Sequence, residues 1–198
     1  AVKDATDFYL GASTINGNLE VESGNAQNAV IGDGGIVTVT GTTSLLASGT
    51  NRAKAATIYM EDFSHIFGDS VSAEGHHIYI QSGSAIKLGA IRSGWGQFRL
   101  TSNGADSDVT QSDTGYIQVR TDTTILGGSG NDVTLNSTLN SFGGYNTSGT
   151  LASTNVGATD EVKINGYDVV VVSAHSFNVG ASIIAHDLTL TSGAEESN

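Results

Sequence analysis

Cysteine and proline are both absent from the 198 residues of this chain. Without cysteine, disulfide frameworks, zinc–thiolate sites and thiol nucleophiles are excluded. Without proline, the turns must be made by Gly, Asn and Asp, and the 26 glycines can supply many of them. Collagen-like and proline-rich linker structures are therefore excluded as well.

Charged residues are also scarce, and they are unbalanced. They make up 14% of the chain, and 8 Lys and Arg against 20 Asp and Glu give a net charge of −12. Such a surface repels nucleic acids and other polyanions, so no nucleic-acid partner is expected. Parallel β-helices include enzymes that cleave pectin or alginate, but these need basic residues to bind their anionic sugars, and this chain has only 8. The G-x-S-x-G motif of serine hydrolases is also absent. The sequence predicts a protein that is not an enzyme.

Long apolar runs are missing too. None reaches the roughly 18 residues that a membrane-spanning helix needs, so no transmembrane segment is expected. The chain starts at Ala1 rather than at Met, as it would after removal of a signal peptide. Together with a surface rich in Ser, Thr, Asn and Gly, this start predicts a secreted protein that is extracellular or held at the cell surface.

Short stretches of alternating apolar and polar residues, typical of strands, recur along the chain. Apolar–x–apolar triplets begin at positions 19, 37, 58, 78, 98, 117, 133, 162 and 188. Most of these starts are about twenty residues apart, and a unit of this size cannot bury its apolar side alone, whereas stacked units can. The spacing predicts one all-β domain over residues 1–198, a parallel β-helix (β-solenoid) with about 20 residues per coil.

The alternative fold is a β-sandwich, in which strands also recur at short intervals. Asn-Gly pairs, which favour tight hairpin turns, occur at Asn16-Gly17, Asn103-Gly104 and Asn165-Gly166. The regular spacing of the triplets favours the β-helix over the sandwich.

Four units carry a resemblance to a known family: "GGIVTVTGTTSLLASG", "GHHIYIQSGSAIKLG", "TGYIQVRTDTTILGGSG" and "GNDVTLNSTLNSFGG". They resemble the coils of filamentous-haemagglutinin-type exoproteins, the large secreted adhesins of the two-partner secretion class, and autotransporter passenger domains share this pattern. The resemblance extends from about Leu19 to Ser192 and does not include the secretion motifs. It implies a right-handed parallel β-helix with a structural or adhesive role outside the cell.

Two acidic stretches are candidates for a calcium site. Asp132 follows a glycine-rich "GGSGND" stretch, and Asp106, Asp108 and Asp113 lie in "NGADSDVTQSD". Calcium takes six or more oxygen ligands, so a single turn does not complete such a site, and the alternative is a set of solvated turns. Calcium is the one cofactor that we consider. The apolar residues after Asp132 are one position away from where a calcium repeat would have them. Their alternation instead predicts that Val133 and Leu135 point inward.

Aromatic and histidine residues give two further predictions. Tyr59, Tyr79 and Arg99 are evenly spaced, so stacking in register would place them above one another on the outer face. Such a ladder is either a contact face for a glycan or a cell-surface protein, or a cover for the sheet. His76 and His77 are neighbours in a predicted strand, so we expect them to point to opposite faces.

Acceptor sequons for N-glycans begin at Asn136 and Asn146. They matter only in an organism that glycosylates secreted proteins, and we expect both to be exposed.

The two ends of the chain suggest how it assembles. Residues 1–18 form an N-terminal segment with the apolar Phe8, Tyr9 and Leu10, and residues 193–198 form a polar tail. Open sheet ends pair readily with other chains. We therefore expect a homopolymer, the subunit of a surface fibre or filament joined through strand-edge or donor-strand contacts. The alternative is an adhesin module that binds a glycan or host protein through a lateral face.

Overall fold

The computed structural model describes residues 1–24, 29–48, 56–62, 64–94, 96–143 and 160–193. These residues form twenty strands and contain no helix. The strands belong to two sheets of ten strands each. The chain is therefore all-β, as the sequence predicts.

The chain alternates between the two sheets as it proceeds. The first sheet has the order β1 (Val2–Asp4), β3 (Leu19–Ser23), β5 (Thr43–Ala47), β8 (Ser70–Gly75), β10 (Ile86–Ser93), β12 (Val109–Val119), β14 (Val133–Leu135), β17 (Val169–Ser173) and β20 (Leu188–Ser192), with β15 (Ser141–Phe142) also beside β12. The second has the order β2 (Phe8–Ile15), β4 (Val30–Val39), β6 (Thr57–Met60), β9 (His77–Ser82), β11 (Phe98–Ser102), β13 (Thr123–Leu126), β16 (Glu161–Gly166) and β18 (Asn178–Val179). In that sheet β7 (Ile66–Phe67) also pairs with β4, and β19 (Ile183–Ile184) with β16.

Every described strand pair is parallel. A hairpin pairs antiparallel strands, so none of the three Asn-Gly pairs makes one. Asn16-Gly17 instead connects β2 of the second sheet to β3 of the first, and Gly17 has a φ of 131°. The hairpins of the sandwich alternative are thus not found among the described strands.

The core lies between the two sheets. Strand residues alternate between buried and exposed, and the buried members of both sheets form one apolar cluster that includes Ile58, Leu100 and Val133. Val133 and Leu135 are fully buried while Thr134 between them is partly exposed, which confirms their predicted inward direction.

The evenly spaced triplets do not all lie in the same sheet. Ile58, Ile78 and Phe98 do stack directly on one another. However, the triplets that begin at positions 19, 117, 133 and 188 lie in the first sheet and the others in the second. The nine triplets are therefore divided between two sheets, in both of which inward and outward residues alternate in the same way.

Buried polar side chains satisfy backbone groups inside the core. Asn140 is fully buried; its Oδ1 accepts the N–H of Ile117 at 2.8 Å, and its Nδ2 donates to the carbonyl of Val172 at 3.0 Å. His65 is also fully buried, and its Nδ1 accepts the N–H of Val37 at 3.0 Å. Such groups must be paired when they are buried, so these side chains fix local backbone structure.

Candidate functional site

The strands β18, β19 and β20 form the last edge of the two sheets, which we call the C-terminal edge. β20 ends the first sheet, and β18 and β19 pair only with β16 in the second. No described residue pairs with the outer side of these strands. An unpaired strand edge offers backbone donors and acceptors to another chain.

The C-terminal edge also exposes side chains that point toward the core. Leu188 and Leu190 pair with Val169 and Val171, which are buried, so they continue the inward columns of the first sheet. Nevertheless they are 47% and 42% exposed. Val179 in the second sheet is exposed as well, and the three side chains line a small apolar cavity. This end of the core is open in the described structure.

The opposite edge is formed by β1 and β2, which we call the N-terminal edge. Of the predicted assembly residues in β2, Leu10 is buried, Phe8 is half-buried and packs on the core, and Tyr9 is 63% exposed. β1 is exposed throughout, and its one pairing within the described part of the chain is with β3, where Lys3 forms an ion pair with Glu22. At the N-terminal edge Leu10 is buried, but the inward Val2 of β1, which pairs with the buried Val21, is 43% exposed.

The predicted ladder on the outer face of the second sheet is formed. Tyr59 pairs with Tyr79, and Tyr79 pairs with Arg99. The two tyrosine rings are parallel, with centroids 5.2 Å apart, and the His77 ring stacks on Tyr79 at 6.1 Å. The amide of Gln97 donates to the Tyr79 hydroxyl at 2.7 Å, which holds that ring in place. The result is a rigid aromatic patch, and its exposed tyrosine is Tyr59.

The prediction that His76 and His77 point to opposite faces is wrong. Their rings lie 4.6 Å apart, because His76 belongs to a bend and the strand begins only at His77. Burial lowers the pKa of both imidazoles, and for His76 the neighbouring His77 lowers it further. Both rings are therefore neutral over a wider pH range than a free histidine is.

Two of the proposed calcium ligands belong to a ladder of aspartates at the start of the strands in the first sheet. Asp108 Oδ1 accepts the N–H of Asp132 at 2.9 Å, Asp132 Oδ1 accepts that of Asp168 at 3.2 Å, and Asp168 Oδ1 accepts that of Asp187 at 3.0 Å. Each carboxylate thus bonds the backbone of the next strand in the sheet. The ladder ends at Asp187, on the C-terminal edge.

The other two proposed ligands are not part of this ladder. Asp106 lies in a turn with a φ of 57°, and Asp113 is an exposed residue of β12. Among the described residues, the group whose ligand atoms lie within 4.8 Å of one another is instead Asp168, His186 and Asp187. The sequence prediction named none of these three.

His186 is held between a carboxylate and an aromatic ring. Its Nδ1 lies 2.7 Å from Asp168 Oδ1, and its ring stacks on Tyr167 with centroids 5.0 Å apart. The hydrogen bond to Asp168 and the charges of Asp187 and Asp168 raise the pKa of His186. Bonds from His186 and from the Asp187 N–H lower the pKa of the Asp168 carboxyl. This pair fixes the start of β20 against β17.

The remaining predicted positions are the two glycan sequons and the polar tail. Asn136 follows β14 and is exposed, as an acceptor for a glycan would need to be. Asn146 lies outside the described residues, and so does the polar tail beyond Gly193.

Comparison with known proteins identifies a repeat. A family model described as Repeats of unknown function (DUF5649) matches residues 1–73 and again residues 75–149. No curated protein and no solved structure matches the chain. The described residues include no helix of the length and apolarity that crossing a membrane requires.

Sequence reasoning missed the C-terminal edge. The alternation of Leu188 and Leu190 is there to be read, but it looks the same as that of the buried strands. Only the pairing of the strands shows that no described neighbour covers it.

Proposed function

The chain belongs to the family Repeats of unknown function (DUF5649), and from that premise we propose that it is a non-enzymatic structural protein that assembles end to end into an extracellular fibre. Its fold in this proposal is a right-handed β-solenoid, in which each passage through both sheets is one coil. The repeated passage of the chain from one parallel sheet to the other supports the solenoid, since the strands pair with those of neighbouring passages.

One observation carries the assembly proposal: the C-terminal edge exposes inward-facing leucines beside unpaired strands. Soluble solenoids usually cover such an end with a polar repeat or a helix. Here Leu188 and Leu190 remain exposed, and no described helix lies over them. A parallel strand of a second copy would bury these side chains and bond the free edge of β20.

Composition supports the extracellular location. A chain without cysteine, with only 14% charged residues and a net charge of −12, has a mostly polar, net acidic surface that keeps a fibre soluble. The resemblance of its units to the coils of secreted β-helical exoproteins agrees with this location.

Negative-stain microscopy of the purified chain over a range of concentrations tests the proposal. We expect unbranched filaments that become longer as the concentration rises. Leu190→Asp should abolish them, because it places a charge on the inward column at the C-terminal edge. Thr189→Asp is the matched control, since its side chain lies on the outer face of the same strand. A wild-type chain that stays monomeric at all concentrations contradicts the proposal.

A second candidate function is suggested by the aromatic patch. Tyr59 is 40% exposed and stacked on Tyr79, so the patch is a rigid apolar contact surface for a glycan or a cell-surface protein. In this case the chain is an adhesin module that binds through a lateral face. Binding to a glycan array that is lost in Tyr59→Ala, with filaments unchanged, would support this function.

A further inference from the structure

One short stretch of sequence occurs three times along the chain. "LGAS" at Leu10–Ser13, "LGA" at Leu88–Ala90 and "VGAS" at Val179–Ser182 are each followed by a second strand. The second strands read "LEVES", "FRLTS" and "LTLTS". The copies are separated by roughly 80 to 90 residues, far more than one coil. We call residues 8–24, 86–104 and 178–193 the first, second and third copies.

The three copies share their backbone structure. In each copy a strand with a break near the small residues is followed by a turn and by a strand in the other sheet. Each also ends with the same bond to the strand before it: Gly24 N–H to the Asp4 carbonyl, Asn103 N–H to Ser82, and Gly193 N–H to Ser173, at 2.9, 3.0 and 2.9 Å. The three copies thus share both sequence and backbone structure, although the same kind of closing bond also ends other strands, for example between the Ser48 N–H and the Ser23 carbonyl.

Successive copies exchange the two sheets. The first copy begins in the second sheet with β2, the second copy begins in the first sheet with β10, and the third begins in the second sheet with β18. An odd number of passages between sheets, seven by the strand order, separates one copy from the next. The first and third copies therefore occupy the same sheets in the same order.

The neighbours of the first two copies show what the third lacks. β4 and β5 cover the first copy, and β12 and β13 cover the second. Leu19 and Phe98 start the second strands of these copies and are 6% and 0% exposed. Their N–H groups donate to the carbonyls of Thr42 and Asp122 in the covering layer, at 2.9 and 3.0 Å. Their equivalent in the third copy is the exposed Leu188.

The covering layer has a defined form. Over the first copy, which occupies the same sheets as the third, it is a strand with a break in register in the second sheet (β4), then a turn, then a strand in the first sheet (β5). Among the strands at the two edges, β2 and β3 have this form. They pair in register with β4 and β5, from Phe8 opposite Ile31 to Ser23 opposite Ala47, so the spacing of their inward residues matches. Among the described strands, β1 is the one that lies over the outer edge of β3.

We propose that the C-terminal edge accepts β2 and β3 of a second copy of this chain, and that β1 of that copy is displaced. The proposal rests on the end-to-end assembly proposed above and assigns its register. β2 then lies on β18 and β19, and β3 lies on β20. The strand contacts repeat those made within the chain by the first and second copies.

β1 is suited to leave its place. It has three residues, all of them exposed, and of the strands that the structure describes it pairs with β3 alone. Its side-chain bond to β3 is the ion pair of Lys3 with Glu22, and an ion pair at such exposed positions contributes little to stability. A second copy replaces these contacts with the larger apolar surface of Leu188 and Leu190.

Disulfide crosslinking tests the register, since the chain has no cysteine of its own. In the proposed register Glu20 of one copy lies beside Thr189 of another, both on the outer face. If β1 stays in place and its inward Val2 meets Leu190, then Lys3 lies beside Thr191 instead. Neighbouring strands bring Cα atoms to a distance that a disulfide can span. The two double variants are therefore Glu20→Cys with Thr189→Cys, and Lys3→Cys with Thr191→Cys.

The expected result is a ladder of covalent oligomers from the Glu20/Thr189 variant under oxidising conditions, and only monomers from the Lys3/Thr191 variant. A ladder from the second variant alone overturns the displacement of β1 and leaves end-to-end assembly standing. Filaments without a ladder from either variant overturn this register. Monomers in every case overturn both this inference and the proposed function.

Lys3→Glu gives an independent measurement in the full chain. It places like charges opposite each other in the β1–β3 pair and so destabilises the pairing of these two strands. The loss corresponds to about a two- to fivefold higher rate of β1 displacement. If β1 must leave, filaments elongate faster by this factor. If β1 itself forms the contact, elongation becomes slower, and that result overturns the proposal.

Discussion

Leu100 and Leu190 occupy equivalent positions in two copies of the repeat, so replacing each with alanine measures whether the C-terminal edge is open. Leu100 is the third residue of β11, is fully buried, and is paired on both sides by Ile80 and Ile125. Leu190 is the third residue of β20, is 42% exposed, and has a described pair on one side only, Val171.

The two substitutions should differ clearly in cost. A buried leucine replaced by alanine costs about 2–5 kcal/mol, because the lost transfer free energy adds to that of a cavity. At Leu190 only part of the side chain leaves water on folding and no closed cavity forms, so we expect about 1 kcal/mol. The difference of about 2 kcal/mol is well above the error of such measurements.

Urea denaturation followed by circular dichroism measures both costs, at a concentration low enough to keep the chain monomeric. Leu190→Ala should have a midpoint close to that of the wild type, while Leu100→Ala should unfold at much lower urea. Filament formation at high concentration should show the opposite order. Leu190→Ala should reduce it, whereas Leu100→Ala should not. If Leu190→Ala is as destabilising as Leu100→Ala in the monomer, the edge is covered in solution and the reasoning is refuted.

Three further predictions concern side chains away from the edge leucines. Asn140→Leu should destabilise the chain by about 2–3 kcal/mol in the same denaturation assay, because it leaves buried backbone groups unpaired; a cost below half a kcal/mol would contradict its assigned role. The pKa of His186 should lie above 6.5 in an NMR titration and fall toward that value in Asp168→Asn. Because its pKa is raised, His186 stabilises the fold below pH 6.5, and this effect is lost as the pH rises through the folded value. Because its pKa is lowered, Asp168 stabilises the fold above pH 3.8, and this effect is lost as the pH falls. If Asp168→Asn leaves stability unchanged from pH 4 to pH 6.5, the pair does not stabilise the fold. Tyr79→Ala should reduce stability by about 1 kcal/mol through the loss of stacking on Tyr59 while filament formation stays unchanged, and filaments lost at unchanged stability would place the assembly contact on the lateral face.

The all-β fold and the direction of inward residues could be predicted from the sequence. Strict alternation at Val133, Thr134 and Leu135 specifies which side chains are buried, whatever the neighbouring strands are. The stacking of Tyr59 on Tyr79 could be predicted too, because the chain passes once through the first sheet between β6 and β9 and returns with the spacing that the triplets share.

The assignment of strands to sheets could not be predicted in this way. Both sheets bury apolar residues with the same period of two, so the triplets at Leu19 and Val37 look alike although they lie in different sheets. The distance along the chain between paired residues also varies: Val71 pairs with Leu88, whereas Thr123 pairs with the much more distant Val162. A search at one fixed short spacing therefore mixes the two sheets and overlooks the longer repeat.

The candidate metal residues illustrate a second limit. Asp108 and Asp132 stand out in the sequence as members of acidic stretches, but in the structure each accepts a backbone N–H from the next strand. The Asp168 carboxylate likewise accepts the N–H of Asp187, 19 residues further along the chain. Aspartates that cap strand starts cannot be told from metal ligands until the pairing of the strands is known.

Cryo-electron microscopy of the assembled filaments tests the central claim most directly, since it shows which surfaces of neighbouring copies meet. The account predicts that both sheets continue without a break through each junction, with the C-terminal edge of one copy against the β2–β3 layer of the next and strands perpendicular to the filament axis. Copies joined through the lateral face at Tyr59, or a chain that forms no filaments at all, would contradict it.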